Sequence, residues 1–82
     1  GRFEDAKKWY AARLEEQQSR LGRDHPEVAD SLHEIGRIYH IQGKYEDALV
    51  QYEEALRIRR QKLGDDHPDV ATTLINMGTV YQ

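Results

Sequence analysis

The dipeptide His25-Pro26 returns as His67-Pro68, 42 residues later, and much of the chain returns with it. At that offset residues 1–40 fall on residues 43–82, with 16 identities in 40 pairs. The densest block is Leu21, Gly22, Asp24, His25, Pro26, Val28, Ala29, Leu32, Gly36 and Tyr39, matched by Leu63, Gly64, Asp66, His67, Pro68, Val70, Ala71, Leu74, Gly78 and Tyr81. A period of this size marks a stacked array in which each unit buries its apolar face only against its neighbours. Function in such a chain is expected on an extended surface, not in a deep pocket.

Within each copy the apolar residues recur at spacings of three and four, the signature of amphipathic helices. Tyr45, Ala48, Leu49, Tyr52, Ala55, Leu56 and Leu63 form one stripe, and Phe3, Ala6, Tyr10, Leu14 and Leu21 form its partner in the first copy. Val28, Ala29, Leu32, Ile35, Gly36 and Tyr39 form another, repeated as Val70, Ala71, Leu74, Met77, Gly78 and Tyr81. The spacing predicts helices over approximately 2–21, 26–42, 44–63 and 68–82. Gly22 and Gly64 stand where a helix needs a left-handed C-terminal residue. Pro26 and Pro68 stand where a missing N–H costs little. Two readings of the N-caps stay open. Asp24-x-x-Glu27 and Asp66-x-x-Asp69 resemble capping boxes, whereas the residue before proline avoids helical angles, which favours His25 and His67. The short link at Gly43 makes its two helices antiparallel. Gly36 and Gly78 lie inside helices at a cost of about 1 kcal/mol each against alanine. Their recurrence predicts close approach of a neighbouring helix, against an aromatic such as Tyr45 or Tyr52.

Leu32-x-x-Ile35-Gly36-x-x-Tyr39-x-x-x-Gly43-x-Tyr45-x-x-Ala48-x-x-x-Tyr52-x-x-Ala55-Leu56 resembles the tetratricopeptide repeat, a helix–turn–helix unit usually about 34 residues long. The lengthened second helix and the Gly-x-Asp-His-Pro signature resemble the longer repeats of kinesin light chain. The resemblance implies an all-α fold of antiparallel helix–turn–helix units forming a right-handed superhelical solenoid. It also implies a peptide-binding groove lined by the first helix of each unit. On this chain that face carries Asp30, His33, Arg37 and His40, then Thr72, Ile75 and Thr79. Arg37 flanked by His33 and His40 suits a carboxylate-bearing peptide, and Ile75 offers an apolar contact. The plainer alternative is a solvated helix face. Three places depart from the family pattern. Arg13 stands where a small residue is usual. His33-Glu34 and Ile75-Asn76 stand where kinesin members often carry an Asn pair. The Lys and Asn pattern of carboxylate-clamping members is missing.

The helices run in the order second, first, second, first. The chain therefore reads as a piece of a longer array with an unpartnered helix at each end. Phe3, Tyr10 and Leu14 at one end and Leu74, Met77 and Tyr81 at the other are expected to be partly bare and to associate head to tail, the last helix of one copy on the first of another. Trp9 reads as packing between units, with a partner anchor as the alternative. Arg57, Arg59, Arg60 and Lys62 read as cations complementing a helix C-terminus.

Other function classes find little support. The net charge is −3, which gives no pull toward nucleic acid or an anionic membrane. The chain has no cysteine, which excludes disulfides and thiolate zinc sites and fits a reducing, cytoplasmic setting. No apolar run approaches the length of a membrane span. His33 and His40, two turns apart with Arg37 between them, are too few and too distant for a metal. No catalytic constellation or phosphate loop is present, so neither enzyme activity nor a cofactor is expected.

Overall fold

The computed structural model describes all residues, 1–82, as four α-helices: α1 (Arg2–Leu21), α2 (Pro26–Ile41), α3 (Tyr45–Leu63) and α4 (Pro68–Tyr81). Cross-helix contacts give their directions. The start of α1 meets the end of α2 through Glu4 and Gln42, and its far end meets the start of α2 through Gln17 and Ser31. The same antiparallel relation joins α2 to α3 and α3 to α4, through Asp30–Arg59 and Arg59–Thr73. Each helix packs on the next in sequence, so α1 and α3 form one layer and α2 and α4 the other. The Cα body measures 35 × 33 × 16 Å, a slab two helices deep. Helices α2 and α4 approach within 8 Å at a few positions, whereas α1 and α3 do not.

The boundaries follow from local chemistry. His25 is extended (φ −73°, ψ 141°), as the following proline requires, and its Nδ1 accepts the Glu27 N–H at 3.1 Å. His67 repeats this with Asp69 at 3.1 Å. The histidines are therefore the caps, and the Asp24 and Asp66 capping boxes do not form. Gly43 (φ 78°) closes α2 with a pair of bonds typical of a helix stop: its N–H reaches the His40 carbonyl at 3.0 Å, and the Lys44 N–H reaches Tyr39 at 2.8 Å. Gly22 and Gly64 differ from the expected left-handed helical cap. They lie at φ 95°, ψ 156° and φ 92°, ψ 154°, an extended positive-φ region essentially open only to glycine. This conformation swings the chain straight into the Asp-His-Pro segment.

The interior is a seam, not a ball. Val28, Ala29 and Leu32 of α2 meet Ala55 and Ile58 of α3, with Leu14 of α1 packed alongside. Ala48, Tyr52 and Val80 form a second cluster, joined by Tyr39, Leu49 and Met77. Gly36 is what brings α2 and α3 together: a Cβ there would lie 2.9 Å from Tyr52 Cε1. Gly78 behaves otherwise, since a Cβ there would meet nothing within 4 Å. No helix covers α4 as α3 covers α2, so Gly78 faces open space.

Among the polar contacts between units, two are fully buried and occupy equivalent places. Ser31 Oγ donates to Gln17 Oε1 at 2.6 Å between α1 and α2. At the equivalent place, 42 residues on, Arg59 Nη1 donates to Thr73 Oγ1 at 2.7 Å between α3 and α4. The Thr73 hydroxyl passes its own hydrogen to the Asp69 carbonyl at 3.0 Å. Arg59, 6% exposed, is thus a core residue and not a solvated dipole-complementing cation as its neighbours suggested. Of those neighbours, Arg57 reaches Asp24 and Glu54 at 2.6 Å each, and Arg60 reaches Asp65 at 3.5 Å. Trp9 also departs from expectation. It is 57% exposed, edge-on to Tyr10 on its own helix and 5.4 Å from the Arg13 guanidinium. It fills no gap between units because no helix lies on that side of α1.

Candidate functional site

Helical spacing puts Asp30, His33, Arg37 and His40 along one face of α2, and Thr72, Ile75 and Thr79 along the matching face of α4. The two faces meet at a cavity of about 200 Å³ lined by Arg37, His40, Ile41, Tyr52, Asn76 and Thr79. A larger depression of about 490 Å³, lined by Glu53, Leu56, Arg57, Arg60 and Gln61, is an open furrow along α3 alone, where no groups from two helices converge.

The predicted residues divide into an open set and an occupied set. Arg37 is exposed and only loosely held, its Nη1 lying 3.3 and 3.4 Å from the two Glu34 oxygens. Such a surface pair is weak and is readily exchanged for another carboxylate. His40 lies half-buried, edge-on to Tyr45 at 5.7 Å. Ile41 lines the cavity and is bare, and Ile75, 67% exposed, lies outside the lining on the same face of α4 as Thr79. The Thr72 and Thr79 hydroxyls donate back to the Pro68 and Ile75 carbonyls of their own helix, which leaves their oxygens free to accept.

Asp30 and His33 are engaged elsewhere. Asp30 Oδ1 accepts from Arg59 Nη2 at 3.0 Å. His33 is 6% exposed and sits between Arg59 Nη1, 3.2 Å from its Nδ1, and the Asn76 amide, 2.8 Å from its Nε2. A guanidinium can only donate, so Nδ1 holds the lone pair and Nε2 the proton. The structure sets the Asn76 side-chain nitrogen 2.8 Å from Nε2, and matching donor to acceptor requires the amide turned over, so that its oxygen accepts the Nε2 proton. Burial pushes the His33 pKa below its ordinary value, and the nearby Arg59 charge pushes it the same way. His33 is therefore a neutral link between α2, α3 and α4. The cluster of three basic side chains expected around Arg37 reduces to Arg37 with His40 beside it.

Tyr52, Asn76 and Ile41 line the cavity although the sequence did not mark them for this face. Tyr52 carries the spacing of a core residue, and it is one: its ring floors the cavity while packing on Gly36. Asn76 had a signal in the offset, being an amide where the first copy has Glu34. Among the end residues, Leu14 and Met77 are drawn into the two internal clusters, and Tyr10 is half-buried. Phe3, Leu74 and Tyr81 stay exposed, Tyr81 at 71%. No group of three or more His, Cys, Asp or Glu side chains is placed to hold a metal ion, and no helix is long and apolar enough to cross a membrane.

Paired helices stacked on a 42-residue period define a helix–turn–helix repeat array. The tetratricopeptide repeat matches the chain over residues 28–69, just over half its length. The chain belongs to the tetratricopeptide repeat family, in its longer kinesin light chain-like form. Repeats of this family are generally protein–protein interaction modules. No curated protein is matched by the chain.

Proposed function

We propose that the chain is a scaffold that holds a peptide or partner segment along the face shared by α2 and α4. The observation that carries this is the cavity between the two helices, where a loosely paired guanidinium, Arg37, stands beside the exposed Ile41. Exposed Ile75 lies on the same face of α4. A cation next to bare aliphatic side chains suits a segment that carries a carboxylate one or two residues from an aliphatic side chain. His40, Thr72 and Thr79 add hydrogen-bonding capacity along the groove. Asp30 and His33 hold its wall in place through Arg59.

Dye-labelled peptides with Leu or Ile next to Asp or Glu, each paired with its amide counterpart, test this by fluorescence anisotropy. Arg37→Ala should weaken the acidic peptides about tenfold, the loss of one charge-assisted bond, and leave the amidated ones unchanged. Ile75→Ala should weaken both. Peptide binding insensitive to both substitutions would remove the groove from consideration.

A second reading is supported by a separate observation, the uncovered apolar face of α4 with Leu74 and Tyr81 exposed and Gly78 facing open space. On that reading the chain is an assembly element stacking end to end with other copies.

A further inference from the structure

The chain contains a template for covering α4. Shifted by 42 residues, α4 is a second α2 and α1 is a second α3. Within the chain, α3 lies on α2 with Tyr52 in the notch at Gly36, Ala55 and Ile58 on Val28, Ala29 and Leu32, and Arg57 on Asp24. The same register applied to two copies sets Tyr10 of one over Gly78 of the other. Phe3 and Ala6 then take the places of Tyr45 and Ala48. This half of the interface is complementary: Gly78 is open, Tyr81 is bare and Tyr10 is only half-buried.

The other half is opposed. Where α3 offers Ala55 and Ile58, α1 offers Arg13 and Glu16, which would lie on Ala71 and Leu74. Where Arg57 answers Asp24, Glu15 would meet Asp66, two like charges in place of an ion pair. An apolar seam replaced by charges at two positions and an ion pair replaced by two like charges at a third weakens such a contact without moving its register. We infer that the open face of α4 is a docking surface for α1 of a second copy, seated with Tyr10 over Gly78, and that Arg13, Glu15 and Glu16 hold this contact weak. The inference rests on the assembly reading above and specifies its register and its brake.

Arg13, Glu15 and Glu16 are all exposed, and a Cβ at Gly78 meets nothing in its own chain, so each can be exchanged with the fold intact. Sedimentation velocity over a concentration series compares three proteins: wild type, the triple variant R13A/E15R/E16I, and that triple with Gly78→Leu. The triple should associate at least about tenfold more tightly than wild type, and Gly78→Leu should abolish the gain. Trp9, the sole tryptophan and mostly exposed, gives an independent readout through a concentration-dependent blue shift, because it neighbours Tyr10. Association that is present but indifferent to Gly78→Leu overturns the register and leaves self-assembly standing through another surface. A strict monomer in wild type and triple alike overturns both.

Discussion

Ser31 donates to Gln17 at 2.6 Å, and the residues 42 places further on repeat the contact with different chemistry, Arg59 donating to Thr73 at 2.7 Å. The hydroxyl belongs to the first helix of a unit and the long polar side chain to the second helix of the unit before. All four side chains are buried. The direction of the bond reverses between copies, because Gln17 accepts where Arg59 can only give. The interface between units thus fixes a position for polarity and leaves its chemistry open.

Removing one side of that contact should cost more than an average buried hydrogen bond. Ser31→Ala leaves the Gln17 carbonyl oxygen buried without a donor, a penalty of about 1–3 kcal/mol. Urea unfolding should show a lower midpoint at unchanged slope. Recovery of most of the loss by Gln17→Leu in the Ser31→Ala background would confirm that the orphaned amide, and not lost packing, is responsible.

The two helical glycines should respond in opposite directions to the same substitution. Gly36→Ala places a methyl 2.9 Å from the Tyr52 ring, which is itself locked in the core. Overpacking of this kind costs about 1–3 kcal/mol, enough to outweigh the gain in helix propensity. Gly78→Ala meets nothing within 4 Å and should raise stability by about 0.5–1 kcal/mol, the propensity gain alone. Thermal melts of the two variants, moving apart from wild type, are the check.

Acid should loosen the junction of α2, α3 and α4. The folded pKa of His33 lies below its ordinary 6.5, through burial first and the Arg59 charge second. The unfolded chain therefore takes up the proton before the folded one. The stability held by neutral His33 is complete above pH 6.5 and drains as pH falls toward and through the folded value. Replacing His33 with Gln keeps hydrogen-bonding capacity without the titration. Urea midpoints between pH 7.5 and 5.5 should fall for wild type and fall less for His33→Gln. Parallel curves would show that His33 does not carry the slope.

The caps give a fourth test. His25 Nδ1 accepts the Glu27 N–H at 3.1 Å, so His25→Ala should cost about 1 kcal/mol and His25→Asp, a stronger cap in the same extended conformation, should cost little or nothing. If Asp24 were the working cap, His25→Ala would be silent in a denaturant titration.

Much of the fold was legible in the sequence because its punctuation is written twice. His-Pro, the loop glycines and the apolar stripes each fix a boundary or a face, and a repeated glycine at 36 and 78 indicated a close approach that Tyr52 makes real on one side. The site was less legible for a physical reason. Polar residues on a helix face look alike in sequence whether they meet water or a neighbouring guanidinium. Arg59 was hidden in a run of cations and His33 in a stripe of groove residues, and only the third helix that joins them shows both to be buried. The choice between Asp24 and His25 as cap turned on backbone angles that spacing does not encode. Gly78 and Trp9 share one circumstance: each lies on a face that no helix within residues 1–82 reaches, so the close approach and the packing between units expected of them find no partner there.

A body 16 Å deep has water on both broad sides, so no helix is shielded all round. Only α2 and α3 have a packed neighbour on each flank. Opening fluctuations should therefore begin at the edges, with α1 or α4 peeling away from a surviving inner pair, and amide exchange should rise in steps from the middle of the stack outward. In such a layered molecule, whatever settles on an outer helix also slows the breathing of the one beneath it.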